Sequence, residues 1–317
     1  MGPKKCAHKF ELPGLRLALR AIGLSLLAWS AAADQLETVT VEAARAREMV
    51  VQQVNKFVSG IAVARRDESL ANWQREIPIC PLVAGLSRED GEFLLMRLSK
   101  IAASVGAPLA GENCKPNLYV VVSSAPDALL RAWSKRDVTM FDSGDDHGGV
   151  EIRNFLNAKL PVRAWYNVEI YNSDGTPLDH LGAAPGLAGF AMSGVRINAH
   201  SRATRIQFND VRNLSSVIVL VDATRARGVT FGQLAAYVSM VGLAEIKIDA
   251  NVFDTPSILQ LFANSANPAP SGLSTYDQAF LKGLYHTEHL DQRQISAIKT
   301  AIVQDIAPTD RGGSPAH

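Results

Sequence analysis

His286-Thr287-Glu288-His289 places two imidazoles three residues apart at the end of a helical segment, where one face can hold both. That is part of a zinc grip, and a working zinc site needs a third ligand and a water activated by a general base. Histidine at a helix carboxyl terminus also serves as a partner of the helix dipole, which needs no metal. Asp222 closes the most apolar strand-like run of the chain, Ser216 to Val221, ahead of a loop with Arg225, Arg227 and Gly228. Because α/β sheets hold ligands beyond their strand ends, Asp222 is the best-placed single carboxylate, with a helix cap or a salt bridge to Arg225 as its structural alternative.

Other constellations carry less. Asp142, Asp145 and Asp146 form an acidic, glycine-bearing loop without the alternating ligand spacing of a calcium loop. Ser296-x-x-Lys299 stands on a late amphipathic helix without the companion signatures of penicillin-recognising enzymes. The chain has no G-x-S-x-G elbow, no phosphate-cradling P-loop and no G-x-G-x-x-G after a strand, and no cofactor is expected.

The amino-terminal residues set the compartment in which any such chemistry takes place. Lys4, Lys5, Lys9, Arg16 and Arg20 precede an apolar run, Ala21 to Ala33, that ends in three alanines before Asp34. A basic head, an apolar middle and a small-residue end are the layout of a secretory signal; the run is shorter than the roughly 20 residues that span a bilayer. Residues 1–33 are therefore expected to be removed, leaving a periplasmic or secreted protein with no integral membrane segment. Removing five basic side chains and one acidic one takes the formal charge from +1 to −3. No clustered basic footprint then remains for nucleic acid, the later arginines being dispersed among acids. Cys80 and Cys114 form an even pair beyond the signal and are expected to make a disulfide; a metal site would need further ligands that do not stand nearby.

The periodicities predict the scaffold. Helical content runs from Ala43 to about Ala62 after a short strand at Val39 to Val41. Ser87-Arg88-Glu89-Asp90 caps a helix with Leu94, Leu98 and Ile101 on one face, ended by Gly106 and Pro108. Leu118 to Val122 reads as a buried strand and Ser124 to Trp133 as a helix. Val162 to Tyr171 alternates as a strand, Ile206 and Phe208 lie on another, and Ser216 to Val221 is apolar throughout, as a central strand is. Helices follow at Thr230 to Ile246, Pro256 to Phe262, Ser274 to Tyr285 and Gln294 to about Asp305. The Gly- and Ala-rich stretch 176–203 is long for a loop and a place to look for function. The fold class is α+β, a mixed sheet with helices packed on it. One globular domain is expected over 34–307, with a sub-boundary near 145–160 and a disordered tail at 308–317.

The order of strand, core helix, Pro256-Ser257-Ile258-Leu259 and Leu273-Ser274-Thr275-Tyr276-Asp277 running into Phe280-Leu281-Lys282-Gly283-Leu284-Tyr285 resembles a set of exported proteobacterial proteins of unknown function. More distantly, 229–290 is similar to the carboxy-terminal half of zincin-like metallopeptidases. That resemblance sets Gln233-Leu234-Ala235-Ala236-Tyr237 where zincins carry H-E-x-x-H, and these side chains cannot grip zinc or activate its water. It implies a degenerate, non-catalytic domain that binds a peptide, an envelope component or a protein partner. The alternative is a periplasmic hydrolase acting on peptide or envelope material, its site built from Asp222, Gln233 and Tyr237 with His286 and His289.

Overall fold

The computed structural model describes residues 42–63, 70–136, 141, 149–172, 210–252, 255–263, 268–287 and 294–307. The expected signal at 1–33, the strand expected at Val39 to Val41, Asp142, Asp145 and Asp146, the stretch 176–203, Ile206, Phe208, His289 and residues 308–317 lie outside them. One compact unit spans Val50–Ala307; the other joins Met1–Met49 to Pro308–His317, and of it only 42–49 are described.

Within Val50–Ala307 the chain is α+β, with a mixed four-stranded sheet and helices on both faces. Its strands are β1 (Pro81–Ala84), β2 (Leu118–Ser123), β3 (Val162–Asn172) and β4 (Asp210–Asp222), in the order β1-β2-β4-β3. The first three of that order are parallel and β3 runs antiparallel to β4. Helix α1 covers 42–61; then come α2 (Arg88–Val105), α3 (Pro126–Arg136), α4 (Gly149–Asn157), α5 (Phe231–Leu243), α6 (Thr275–His286) and α7 (Gln294–Ile306).

The central strand β4 is apolar along its length because both of its faces are covered. Val217, Val219 and Val221 point into the large core with α2, α5, α6 and α7, while Ile218 and Leu220 join Leu130, Phe141, Phe155 and Trp165 in a smaller cluster under α3 and α4. The helix starts follow the capping logic of the sequence. Ser87 Oγ accepts from Asp90 N at 3.1 Å, and Thr230/Gln233 and Ser274/Asp277 form reciprocal capping boxes. Gly106 ends α2 at φ 80°, the left-handed conformation glycine adopts without penalty. Cys80 and Cys114 are joined by a disulfide, with Cα atoms 5.9 Å apart.

Two expectations need correction, and two elements were not expected. The helix at Pro256 to Phe262 is a single 3-10 turn, Ile258–Gln260. It is anchored at its start by Asp277, which takes the Ser257 hydroxyl and the Ile258 N–H, and at its end by Gln260 Nε2, which donates to the carbonyls of Val252 and Thr255. The long helix stops at Leu243 instead of Ile246, and β1 and α4 are elements that the sequence pattern did not show.

Candidate functional site

Asp222 ends β4 as expected, but its lone pairs are already used. Oδ1 accepts from Thr224 N at 2.9 Å, Thr224 Oγ1 at 2.6 Å and Arg225 N at 3.1 Å, and Oδ2 stands 3.2 Å from Arg225 Nε. Burial alone would raise its pKa; the Thr224 and Arg225 hydrogen bonds and the guanidinium charge together hold the carboxyl below the ordinary range. Asp222 thus closes the turn that leads to α5.

The other sequence candidates do not gather around it. Gln233 is spent on the Thr230 capping box and on the carbonyl of Pro270, at 3.2 Å. Tyr237, one turn further along α5, packs its ring edge-on to Phe262 at 5.2 Å, and burial pushes its phenol up to about 12. His286, at the end of α6, bonds through Nδ1 to the carbonyl of Lys282, and its ring covers Gly106 of the α2 cap. Among the described residues, no group of three or more His, Cys, Asp or Glu stands close enough to hold a metal ion.

A groove open to solvent lies elsewhere, along the outer edge of β3. A groove of about 780 Å³ has Ala164, Trp165 and Tyr166 as its floor. One wall is the carboxyl end of α4 with Lys159 and Leu160; the other is the segment 245–249 after α5, joined by Val63. A smaller cavity of about 180 Å³ adjoins it, sharing Ala164, Tyr166 and Ile248 and reaching Tyr237 and Phe262. Leu160 and Ile248 stay exposed at 37% and 44%, leaving apolar surface at the rim.

Both walls are held by specific contacts. On the α4 side, Asp127 of α3 pairs with Lys159 and, at 3.1 Å, with the buried Arg163 of β3. The Lys159 hydrogen bond, working against partial desolvation and helped by Arg163, keeps that carboxyl below its usual range. On the other side the last carbonyls of α5, which no helical N–H can reach, accept from aromatic side chains. Tyr166 Oη donates to Val241 at 2.9 Å, Trp73 Nε1 to Gly242 at 2.9 Å and Tyr285 Oη to Leu243 at 2.5 Å. Directly after them, Glu245 meets Arg212 of β4 in a buried pair, with Arg212 Nη2 donating to Oε1 at 3.2 Å and Nη1 in ionic contact with Oε2 at 2.9 Å. The segment is then pinned to the end of α1, since Lys247 N donates to Ile61 and Asn251 N to Gly60. Gly60 has to be glycine there, because a Cβ would lie 2.1 Å from the Asn251 carbonyl oxygen.

The backbone of β3 supplies the polar groups of the groove. Asp222 N donates to Pro161 O at 2.8 Å, so 161 and 222 form a hydrogen-bonded position of the antiparallel ladder. Such positions alternate along an antiparallel pair. With the register Val162↔Val221 through Tyr166↔Val217, the N–H and C=O groups of Arg163 and Trp165 turn towards β4, and those of Val162, Ala164 and Tyr166 turn outwards. Among the described residues no strand pairs with that outer edge. Sequence reasoning missed this site because strand order, not strand content, makes β3 an edge.

Among the described residues, no helix is long and apolar enough to cross a membrane. No protein-family model matches this sequence, and neither a curated protein nor a solved structure matches it.

Proposed function

We propose that this chain is an exported, non-catalytic binding domain whose β3 groove takes an extended peptide as an added strand. The observation that carries the reading is the outward row of N–H and C=O groups at Val162, Ala164 and Tyr166 on the floor of a walled groove. Strand addition draws its affinity from such main-chain groups and its selectivity from pockets for alternate side chains. The walls also choose the kind of occupant. An unprotected sheet edge pairs readily with another sheet, and β3 is eleven residues long without proline or lysine. Segments 159–160 and 245–249 flank its groove stretch on both sides, an arrangement that favours a single added strand over the edge of a second folded sheet. Export belongs to the same proposal: the basic, apolar and small-residue order of 1–33 motivates it, and a disulfide fits an oxidising compartment.

The test uses the full chain and fluorescein-labelled hexapeptides of alternating Thr and Val, with binding read by fluorescence anisotropy. A bound peptide is then remade with single N-methyl groups. Methylation should abolish binding at every second amide and be tolerated at the amides between, because only one set faces β3. Ala164→Pro removes an outward donor while leaving the β3–β4 ladder its inward bonds, a position where an edge strand tolerates proline. It should weaken binding by about tenfold with the circular dichroism spectrum unchanged, the scale of one or two hydrogen bonds. Absence of binding by the whole set, or indifference to N-methylation at all positions, refutes the reading.

A further inference from the structure

Resting on that groove, we infer that the adjoining 180 Å³ cavity is a side-chain pocket, and that the peptide class selected carries a large apolar residue there and a basic residue beside Asp249. The cavity lies on the Ala164 and Tyr166 side of β3, against Tyr237 and Val241 of α5, with Leu259 and Phe262 behind. Most of its lining residues carry aromatic rings or aliphatic chains, with Arg163 and Lys247 beside them, and the Tyr166 hydroxyl is already given to Val241 O. An apolar cavity of about 150 Å³ accepts a benzene ring, so by volume this space matches a Phe or Leu side chain and is generous for Ala or Val. Empty apolar space forfeits dispersion contacts that an entering side chain restores.

The register explains why one peptide residue would be read. Side chains of an added strand alternate between its two faces, so every second one points to the α5 side of β3. On that side Ala164 stands between Val162 and Tyr166, and the small methyl leaves the mouth of the cavity open at one position.

Charge completes the description. Five ionisable basic or acidic side chains line the two cavities, and four are already engaged. Lys159 and Arg163 are on Asp127, Glu245 is on Arg212, and Lys247 Nζ donates to the carbonyl of Ser59 at 2.8 Å. Asp249 is exposed and has no ion-pair partner among the described residues. At Asp249 a lysine or arginine of the peptide meets a carboxylate with its capacity unused. Lys247 is bonded only to a neutral carbonyl and keeps its own charge, so the preference for a basic side chain is confined to the position beside Asp249.

The experiment is a positional scan on the hexapeptide scaffold, replacing each residue in turn by Ala, Leu, Phe, Lys or Glu and measuring affinity for the full chain. One position is expected to favour Leu or Phe over Ala by at least about tenfold, the scale of burying such a side chain. Another is expected to favour Lys over Glu by about two- to fivefold, less at high salt. Tyr237→Trp fills the cavity from behind and should erase the Phe preference while the Ala peptide binds as before. If that variant misfolds by circular dichroism, Phe262→Ala enlarges the same cavity and should move the preference from Leu towards Trp. Asp249→Asn should remove the Lys preference alone. Peptides that bind without any Leu or Phe preference would overturn the pocket and leave the strand-addition reading standing. Binding by no peptide would overturn that reading itself, and so the two failures are distinct.

Discussion

The carboxyl end of the parallel strands and the outer edge of β3 are two places where a sheet of this kind can meet a ligand, and they are built in opposite ways. At the first, Asp222 is capped by Thr224 and Arg225 within three residues of itself. At the second, the side chains are paired to hold two walls apart, and the backbone between them is what remains to be read. A carboxylate at a strand end is therefore weak evidence for chemistry until its lone pairs have been counted. Each of the two regions offers an arginine–carboxylate pair for comparison. Arg212–Glu245, under the groove, has side chains 2% and 5% exposed; Arg225–Asp222 has 49% and 10%. Chemically similar pairs in such different surroundings should have very different costs when broken.

The largest effect is expected from Arg212→Ala. It strands Glu245 in the interior beside the groove wall, and loss of one partner of a buried pair costs about 3–5 kcal/mol. Urea unfolding measures this, and the double replacement Arg212→Met, Glu245→Leu should recover most of the loss, because the penalty comes from the orphaned charge and not from the missing attraction. Equal instability of the double variant would contradict that explanation.

Gly60→Ala comes next, at about 1–3 kcal/mol, since the new methyl forces the Asn251 carbonyl to move. Because 245–251 moves with it, peptide affinity should fall together with stability. Gly232 in the first turn of α5 faces open space, so Gly232→Ala should be neutral or slightly stabilising and leave binding unchanged. A Gly60 variant of wild-type stability would mean that the wall is not fixed by α1.

Asp222→Ala should cost about 1–2 kcal/mol, the scale of a lost cap, without any change in peptide affinity. Its pH signature has a definite sign. A carboxyl lowered in the folded state contributes stability above its unfolded pKa and loses it as pH falls through the folded value. Asp277 runs the other way. Burial raises it in spite of hydrogen bonds from Ser257, Ile258 and Ser274, so its contribution is full below the unfolded carboxylate pKa and fades as pH rises through the raised folded one. Stability measured against pH should therefore lose part of its acid-side decline in Asp222→Asn and part of its opposing slope in Asp277→Asn.

Local chemistry was legible in the sequence to a greater depth than geometry was. Ser87, Thr230 and Ser274 announce their helices because a cap is made within four residues, and the apolar run before Asp222 announces a strand covered on both faces. The pairing of Cys80 with Cys114 followed from there being two cysteines after residue 33. The four residues of β1 are too few to show an alternation, and the last carbonyls of α5 are capped by Trp73, Tyr166 and Tyr285 from three distant parts of the chain. No window around Leu243 could show where that helix stops. The groove is further from view still, since Ala164 is an ordinary strand residue until β4 occupies one side of β3 and the other is left to the walls.

The smallest expected effect is the one that isolates burial as the cause of the difference. Arg225→Ala removes the guanidinium from a carboxylate that keeps three hydrogen bonds from Thr224 and the Arg225 main chain. With half of the Arg225 side chain in solvent, the pair is screened, and its loss should cost below about 1 kcal/mol and vanish in high salt. Unfolding at two salt concentrations separates the cases: the Arg212 deficit should persist where the Arg225 deficit disappears. A cost for Arg225→Ala as large as that for Arg212→Ala would mean that Asp222 depends on that charge, and the turn after β4 would then have to be counted again as a charged site.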